Sequence, residues 1–309
     1  MSDDVPALII VGVDAAWRRT HALDWAVAEA LARQRPLRAI HLVDKAKHHH
    51  DAYGPVQFDG VAVVPVKVDE AAGRLVDQVR AYLAETATEL DLDVDLRVGE
   101  PAERLIDESG SALMVVVGRR GHGVFKDLLI GSTSDAVANR GRGPVVVVPN
   151  GWDQQVHREG PVLVGVDWIE AGQSDAAIEF AADHAAAYGV PLILVLAWDV
   201  PWVIDADSPV TAEDIDTWHG MADARGRELA DEWMKRRRPG RRPGLVVRHH
   251  LVQGHPVAGL VDTSEALDAQ LLTVGGRLRS RTSQFLLGST ARGVLHHAVR
   301  PVAVVHERE

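Results

Sequence analysis

The chain has 309 residues, 46% apolar and 25% charged, with a net charge of −11 from 33 basic and 44 acidic side chains. That length anticipates about two domains, each able to bury a core without covalent staples, and the absence of cysteine excludes disulfides, thiolate zinc sites, iron–sulfur ligation and cysteine nucleophiles. The acidic balance disfavours a nucleic-acid-coating role; with no signal-peptide pattern and no run near the ~20 apolar residues of a membrane span, the expected location is the cytoplasm, with no membrane partner.

Residues 7–13 form a continuous apolar run ending at Asp14, the pattern of a strand buried on both faces of a parallel sheet. Residues 19–35 carry Ala22, Trp25, Ala26 and Leu31 at helical spacing. A second strand is expected at 37–43. The loop after it holds His48, His49 and His50, whose adjacent side chains do not converge on one ion, so a solvated loop is expected and not a metal site. A long amphipathic helix follows at 69–90, a third strand at 94–98, and a short helix opened by Pro101, where the missing N–H costs nothing. Strand four is expected at 112–117, a helix at 132–139 and strand five at 145–148.

The order then recurs. LIIVGVD, ending at Asp14, is echoed by VLVGVDW with Asp167; PLRAIHLVD by PLILVLAWD; LLIGSTSDAV by FLLGSTARGV; GPVVVVP by RPVAVVH. Corresponding positions lie 153 residues apart at Asp14 and Asp167, and 157 apart at Gly131 and Gly288. The chain therefore reads as a duplicated domain, residues 1–150 and 160–309, with a hydrophilic linker around 151–159. Strand–helix alternation predicts an α/β fold: two tandem doubly wound domains, each a five-stranded parallel sheet with helices on both faces. Ligands of such sheets sit beyond the carboxyl ends of the strands, where the winding reverses. In the second half the basic run from Lys235 to Arg242 reads as a solvated loop, with an anionic-partner patch as the alternative. His296 and His297, on the last helix, have no spacing that argues for ligation.

Strand four of the first half runs into GRRGHGVFKDLLIGSTSDAV. Gly118, Gly121 and Gly131 fall in the pattern G-x2-G-x9-G, followed by Ser132 and Thr133 at the start of a helix. Glycine lets backbone amides approach an anion and permits positive φ, and a helix start offers free N–H groups at the positive end of its dipole. Arg119, Arg120 and Lys126 add positive charge. Together these predict a phosphate cradle; a mobile loop before an ordinary Ser/Thr helix cap is the plain alternative. The Walker pattern is absent, and Gly121-His122-Gly123 is not completed by a glycine at 126. Asp14 and Asp167 read either as ligand carboxylates or as caps of the next helix.

These residues resemble the universal stress protein family in its tandem-domain form, over nearly the whole chain and twice over. ATP-binding members of that family carry G-x2-G-x9-G-[S/T] after the fourth strand and an aspartate ending the first. The resemblance implies that Gly118, Gly121, Gly131 and Ser132 serve the phosphates and ribose, with Arg119, Arg120, His122, Gly123 and Thr133 beside them. It places Gly12 and Asp14 near the adenosine and Leu42 where backbone groups meet adenine. The second half keeps Gly165, Asp167, Gly275, Gly288, Ser289 and Thr290, with Ala197 at the position of Leu42. It departs at Leu278, which replaces the second motif glycine; Gly276 is its neighbour, and Arg277, Arg279 and Arg281 supply charge.

The implied function is an ATP-binding regulator of stress response or growth, with Mg²⁺ riding in on the phosphates. The alternative is an ATP-using hydrolase or transferase of the adenine-nucleotide α-hydrolase-like group. No catalytic residue is expected: His122 is the one obvious base in the first loop and the second loop has no histidine, so slow hydrolysis is the upper bound. The apolar fifth strands would leave exposed sheet edges, and the resemblance implies that they pair, between the two halves or in a homodimer. Further protein partners carry no signature in the chain.

Overall fold

The computed structural model describes residues 8–44, 57–58, 61–62, 66–119, 130–167, 174–200, 211–236, 242, 244–276 and 287–306. The chain divides into two compact units, the first ending at Trp152 and the second starting at Asp153.

The first unit contains, in order, β1 (Ile9–Val13), α1 (Trp17–Thr20), α2 (Ala22–Arg33), β2 (Leu37–Val43), β3 (Gln57–Phe58), β4 (Val61–Ala62), α3 (Val66–Thr86), β5 (Leu92–Val98), α4 (Pro101–Ser109), β6 (Met114–Gly118), α5 (Ser132–Arg140) and β7 (Val145–Val148). Its main sheet runs β7-β6-β1-β2-β5 with every pairing parallel. The second unit repeats the plan with β8 (Val162–Gly165), α6 (Asp175–Tyr188), β9 (Leu192–Trp198), α7 (Ala212–Arg236), β10 (Val247–Gln253), α8 (Pro256–Ala266), β11 (Leu271–Gly276), α9 (Ser289–His297) and β12 (Val302–His306). Its strands follow the order β10-β9-β8-β11-β12, again all parallel. The doubly wound sheet with helices on both faces is thus realised twice. An antiparallel hairpin, β3 with β4, is an addition that the sequence patterns did not indicate.

Sheet burial follows from composition. Ile9, Val11, Val115, Val116, Val145 and Val146 are wholly excluded from solvent, as are Leu163, Leu192, Leu194, Leu271 and Leu272 in the second unit. At about 25 cal/mol per Å² of apolar surface, these central strands dominate the stability of each unit.

The helix expected over 19–35 is broken. Asp14 accepts from Ala16 N–H at 2.8 Å through Oδ1 and from Trp17 N–H at 3.0 Å through its carbonyl, winding the chain into the single turn of α1. His21 then takes a left-handed conformation, φ 52°, and α2 restarts after it. Ala22, Trp25 and Ala26 face the sheet, while Leu31, expected on the same face, is exposed. α4 and α8 open as their prolines dictate: Glu100 accepts from Glu103 N–H at 2.7 Å before Pro101, and His255 from Val257 N–H at 3.3 Å before Pro256.

Two polar features depart from the expectations. Arg242, assigned to a solvated loop, is buried. Its guanidinium donates to Glu179 at 2.6 Å and Asp183 at 2.7 Å and lies over the Trp233 ring. Burial alone would lower its pKa, but the two carboxylates outweigh burial and raise it. The linker is likewise attached: Gln270 donates its side-chain amide to Arg158 and Gly160 carbonyls at 3.0 and 2.8 Å, and Asp268 joins His157 to Arg300.

Candidate functional site

In the first unit the chain winds outward from β1 through β2 to β5, then returns to β6 and continues the other way to β7. The winding therefore reverses between β1 and β6, and their carboxyl ends carry Asp14 and the Gly118–Arg119 step. This is the crevice where doubly wound sheets place ligands.

Three contacts fix the site's framework. Gly131 N–H donates to the Arg119 carbonyl at 2.6 Å, joining the start of α5 to the end of β6. Ser134, on the first turn of α5, donates its hydroxyl to the Gly118 carbonyl at 2.5 Å. Arg119 N–H donates to the Val148 carbonyl at 2.8 Å, extending the β6–β7 ladder by one residue. The helix thus starts at a fixed position against the sheet. No side chain caps it. Helix geometry gives the N–H groups of Ser132, Thr133 and Ser134 no partner within the helix, so they lie at the positive end of the dipole.

The glycines serve close approach more than unusual backbone angles. A Cβ on Gly118 would lie 2.6 Å from Thr20 Cβ, so β6 passes hard against α1. Gly131 and Gly288 have φ of −66° and −59°, values open to any residue, so the positive φ that glycine permits is not used at either. Gly12 and its counterpart Gly165 give way to Leu105 and Leu260, whose methyl carbons would lie 3.1 and 2.9 Å from an added Cβ. Both glycines therefore also seat a helix, α4 or α8, against the first strand.

Asp14 is half-buried; its Oδ1 makes the turn with Ala16, and Oδ2 accepts no hydrogen bond among the described residues. Asp14 is not the cap itself: Ala16 is the cap residue of α1, no side chain caps that helix, and Asp14 turns the chain just ahead of it. β1 ends at Val13 opposite His41, so the backbone of Leu42 extends beyond the end of β1 on that side. His41 Nδ1–H donates to the Val13 carbonyl at 2.8 Å. Burial lowers the Arg119 pKa from its ordinary value, though a guanidinium stays charged throughout the working range. Arg120, Gly121, His122, Gly123 and Lys126 lie outside the described residues, as do His48, His49 and His50.

An aromatic cluster that motif reading missed begins three residues after Asp14. Trp17 packs on Tyr82 with centroids 5.1 Å apart, and the Arg18 guanidinium lies 4.2 Å over the Trp17 ring. The Tyr82 hydroxyl donates to Asp24 at 2.5 Å, and burial together with that carboxylate pushes its pKa up to about 12. Only the helical phase of Trp17 against Asp24 could have hinted at it.

The second unit keeps the strand order and the uncapped helix start, but among the described residues Gly288 N–H makes no bond to the Gly276 carbonyl and Ala291 stands where Ser134 ties α5 to β6. Gly288 precedes α9, no side chain caps the helix, and Arg292 N–H donates to the Gly288 carbonyl at 3.0 Å. Asp167 N–H donates to Ser174 Oγ at 3.3 Å. Ala197 pairs with Val252, one strand removed from β8, as Leu42 does with Arg97. Gly275 and Gly276 end β11, with Gly276 paired to His306 of β12. Ser289 and Thr290 open α9. Arg277, Leu278, Arg279 and Arg281 lie outside the described residues. Among the described residues no group of three or more histidines and carboxylates is placed to hold a metal ion, and no helix is long and apolar enough to cross a membrane.

A family model described as the universal stress protein family matches residues 8–149 and again 160–306. A universal stress protein of Mycolicibacterium smegmatis is 33% identical over 308 residues, covering 97% of each chain. Universal stress protein Rv2623 of Mycobacterium tuberculosis is 28% identical over 315 residues, covering 97% of this chain and 96% of its own. In fold, the crystal structure of a universal stress protein from Archaeoglobus fulgidus matches with a TM-score of 0.63 at 17% identity, covering 97% of this chain and 98% of that one.

Proposed function

The chain belongs to the universal stress protein family, and on that premise we propose that each unit binds ATP at the crevice between its first and fourth main-sheet strands, acting as a nucleotide-dependent regulator of stress response or growth. The observation that carries this reading is the uncapped start of α5, clasped to the end of β6 by the 2.6 Å bond from Gly131 to Arg119. It presents backbone donors to an anion at a fixed position, and an anion at a helix start needs no further machinery.

The residues fit such a ligand. Gly118 leaves no side chain in the way, the N–H groups of Ser132 and Thr133 and their hydroxyls suit phosphate oxygens, and Arg119 adds charge. Asp14 Oδ2 suits a ribose hydroxyl or an adenine donor, and the backbone of Leu42 suits the adenine edge. Gly12 shapes the floor by seating α4. Arg120, Gly121, His122 and Gly123 complete the motif in sequence. In the second unit Gly165, Asp167, Ala197, Gly275, Gly276, Gly288, Ser289 and Thr290 take the corresponding roles. Mg²⁺ would be held chiefly by the phosphates and water. Pairing of the terminal strands, including in a homodimer, and a cytoplasmic location belong to the same proposal.

Denaturing the freshly purified full chain, identifying released small molecules by mass spectrometry and titrating the stripped chain with ATP tests the reading. Adenine nucleotide should co-purify, and Asp14→Asn should weaken ATP binding. No released adenine nucleotide together with no heat of ATP binding overturns it.

A further inference from the structure

The two units place their basic group differently at the same corner of the site. Register makes Arg119 and Gly276 equivalent: each follows a motif glycine, Gly118 or Gly275, at the end of the fourth main-sheet strand. Val117 lies beside Gly12 on the face covered by α4 and α5, and Arg119, two residues on, leaves the sheet on that face. In the second unit position 276 has no side chain, and His306 of β12 takes the space. A Cβ on Gly276 would lie 2.4 Å from His306 Nδ1 and 2.6 Å from Cε1. The first unit has Pro149 where the second has His306. A long cation beside a proline has thus been exchanged for a glycine beside an imidazole, and His306 is buried, 4% exposed.

We propose that His306 is the second unit's phosphate-side basic group, delivered from β12 to the corner that Arg119 serves from the end of β6, so that anion affinity in the second unit depends on pH through a residue for which the first unit has Pro149. The proposal rests on the nucleotide reading above and deepens it. An imidazole gains its charge near neutrality, whereas a guanidinium holds its charge. The helices covering that face carry Asp262 and Glu265 on α8 and Arg292, His296 and His297 on α9, and His255 caps α8. Burial disfavours the charged form of an imidazole, so a bound anion is what would draw a proton onto the ring. Affinity should fall as pH rises through the imidazole range.

The full chain carrying Asp14→Asn, which weakens the first unit, is titrated with ATP by calorimetry at about pH 5.5 and about pH 8, either side of the ordinary imidazole pKa. Readings are differences between this parent and its variants, so that titration of the phosphates cancels. The parent should bind roughly tenfold more tightly than His306→Gln at the lower pH, the size of one charge-assisted hydrogen bond, and the two should converge at the higher. Gly276→Arg combined with His306→Pro rebuilds the first unit's arrangement and should restore tight binding without the added pH dependence. If His306→Gln does not fold, the double variant alone decides, because a pH dependence equal to the parent's overturns the proposal. Equal affinity of parent and His306→Gln at both values, or an empty second unit in a wild-type chain that binds one ATP, also overturns it and leaves the nucleotide reading standing. A wild-type chain that binds no ATP removes both.

Discussion

The two units share strand order and register, yet they fill matched positions with different chemistry. Glu29, buried in α2, pairs with Arg33 one turn on; in α6 the corresponding His184 meets Gln270 at 3.1 Å and stacks on Tyr188 at 4.7 Å. Ser134 ties α5 to the Gly118 carbonyl, while α9 has Ala291 there. Asp135 in the first turn of α5 becomes Arg292 in α9. The difference teaches that strand order and register are what the two units hold in common, while the contacts within that frame, the Gly131 to Arg119 backbone bond among them, have been free to change, exchanging an ion pair for neutral polar groups or one basic group for another.

That comparison can be broken most severely at Glu29. Glu29→Ala removes the fully buried carboxylate that Arg33 pairs with and should cost the first unit about 3–5 kcal/mol. Hydrogen exchange resolved by unit checks it, since the second unit should keep its protection. Arg242→Ala is the counterpart test in the second unit. Its carboxylate partners are partly exposed and can be resolvated, so a smaller loss of about 2–3 kcal/mol is expected in denaturant unfolding.

Ser134→Ala makes α5 resemble α9. It should cost about 1 kcal/mol and weaken ATP binding in the first unit only, read by a two-site calorimetric titration. The smallest effect concerns Tyr82. Its phenol pKa is raised by burial and by Asp24, so the stability it contributes is complete below about pH 10 and is lost as pH climbs toward about 12. Phenolate absorbance should show a late step near pH 12 that Tyr82→Phe abolishes.

What was legible follows from which forces act locally. Apolar runs such as residues 7–13 and 145–148 announce buried parallel strands because both faces must be apolar, and the echo of Asp14 in Asp167 revealed the duplication. The motif glycines were found, but not their reason: the contact of Gly118 with Thr20 and of Gly12 with Leu105 joins residues about a hundred positions apart or nearly so, beyond any local pattern. Arg242 misled for the same cause, since its partners Glu179 and Asp183 lie on another helix. The break at His21 was hidden because the apolar spacing runs on across it. The exchange at position 306 stood in the paired segments GPVVVVP and RPVAVVH, and its meaning needed the ring's position over Gly276.

The bond from Gly131 to the Arg119 carbonyl has one more consequence. It joins the residue that follows β6 to the residue that precedes α5, so the two ends of the intervening stretch meet at one point. This makes the position a natural socket: a foreign peptide or reporter grafted there would be tethered at a single point, and successive variants could diversify that stretch without renegotiating the architecture beneath.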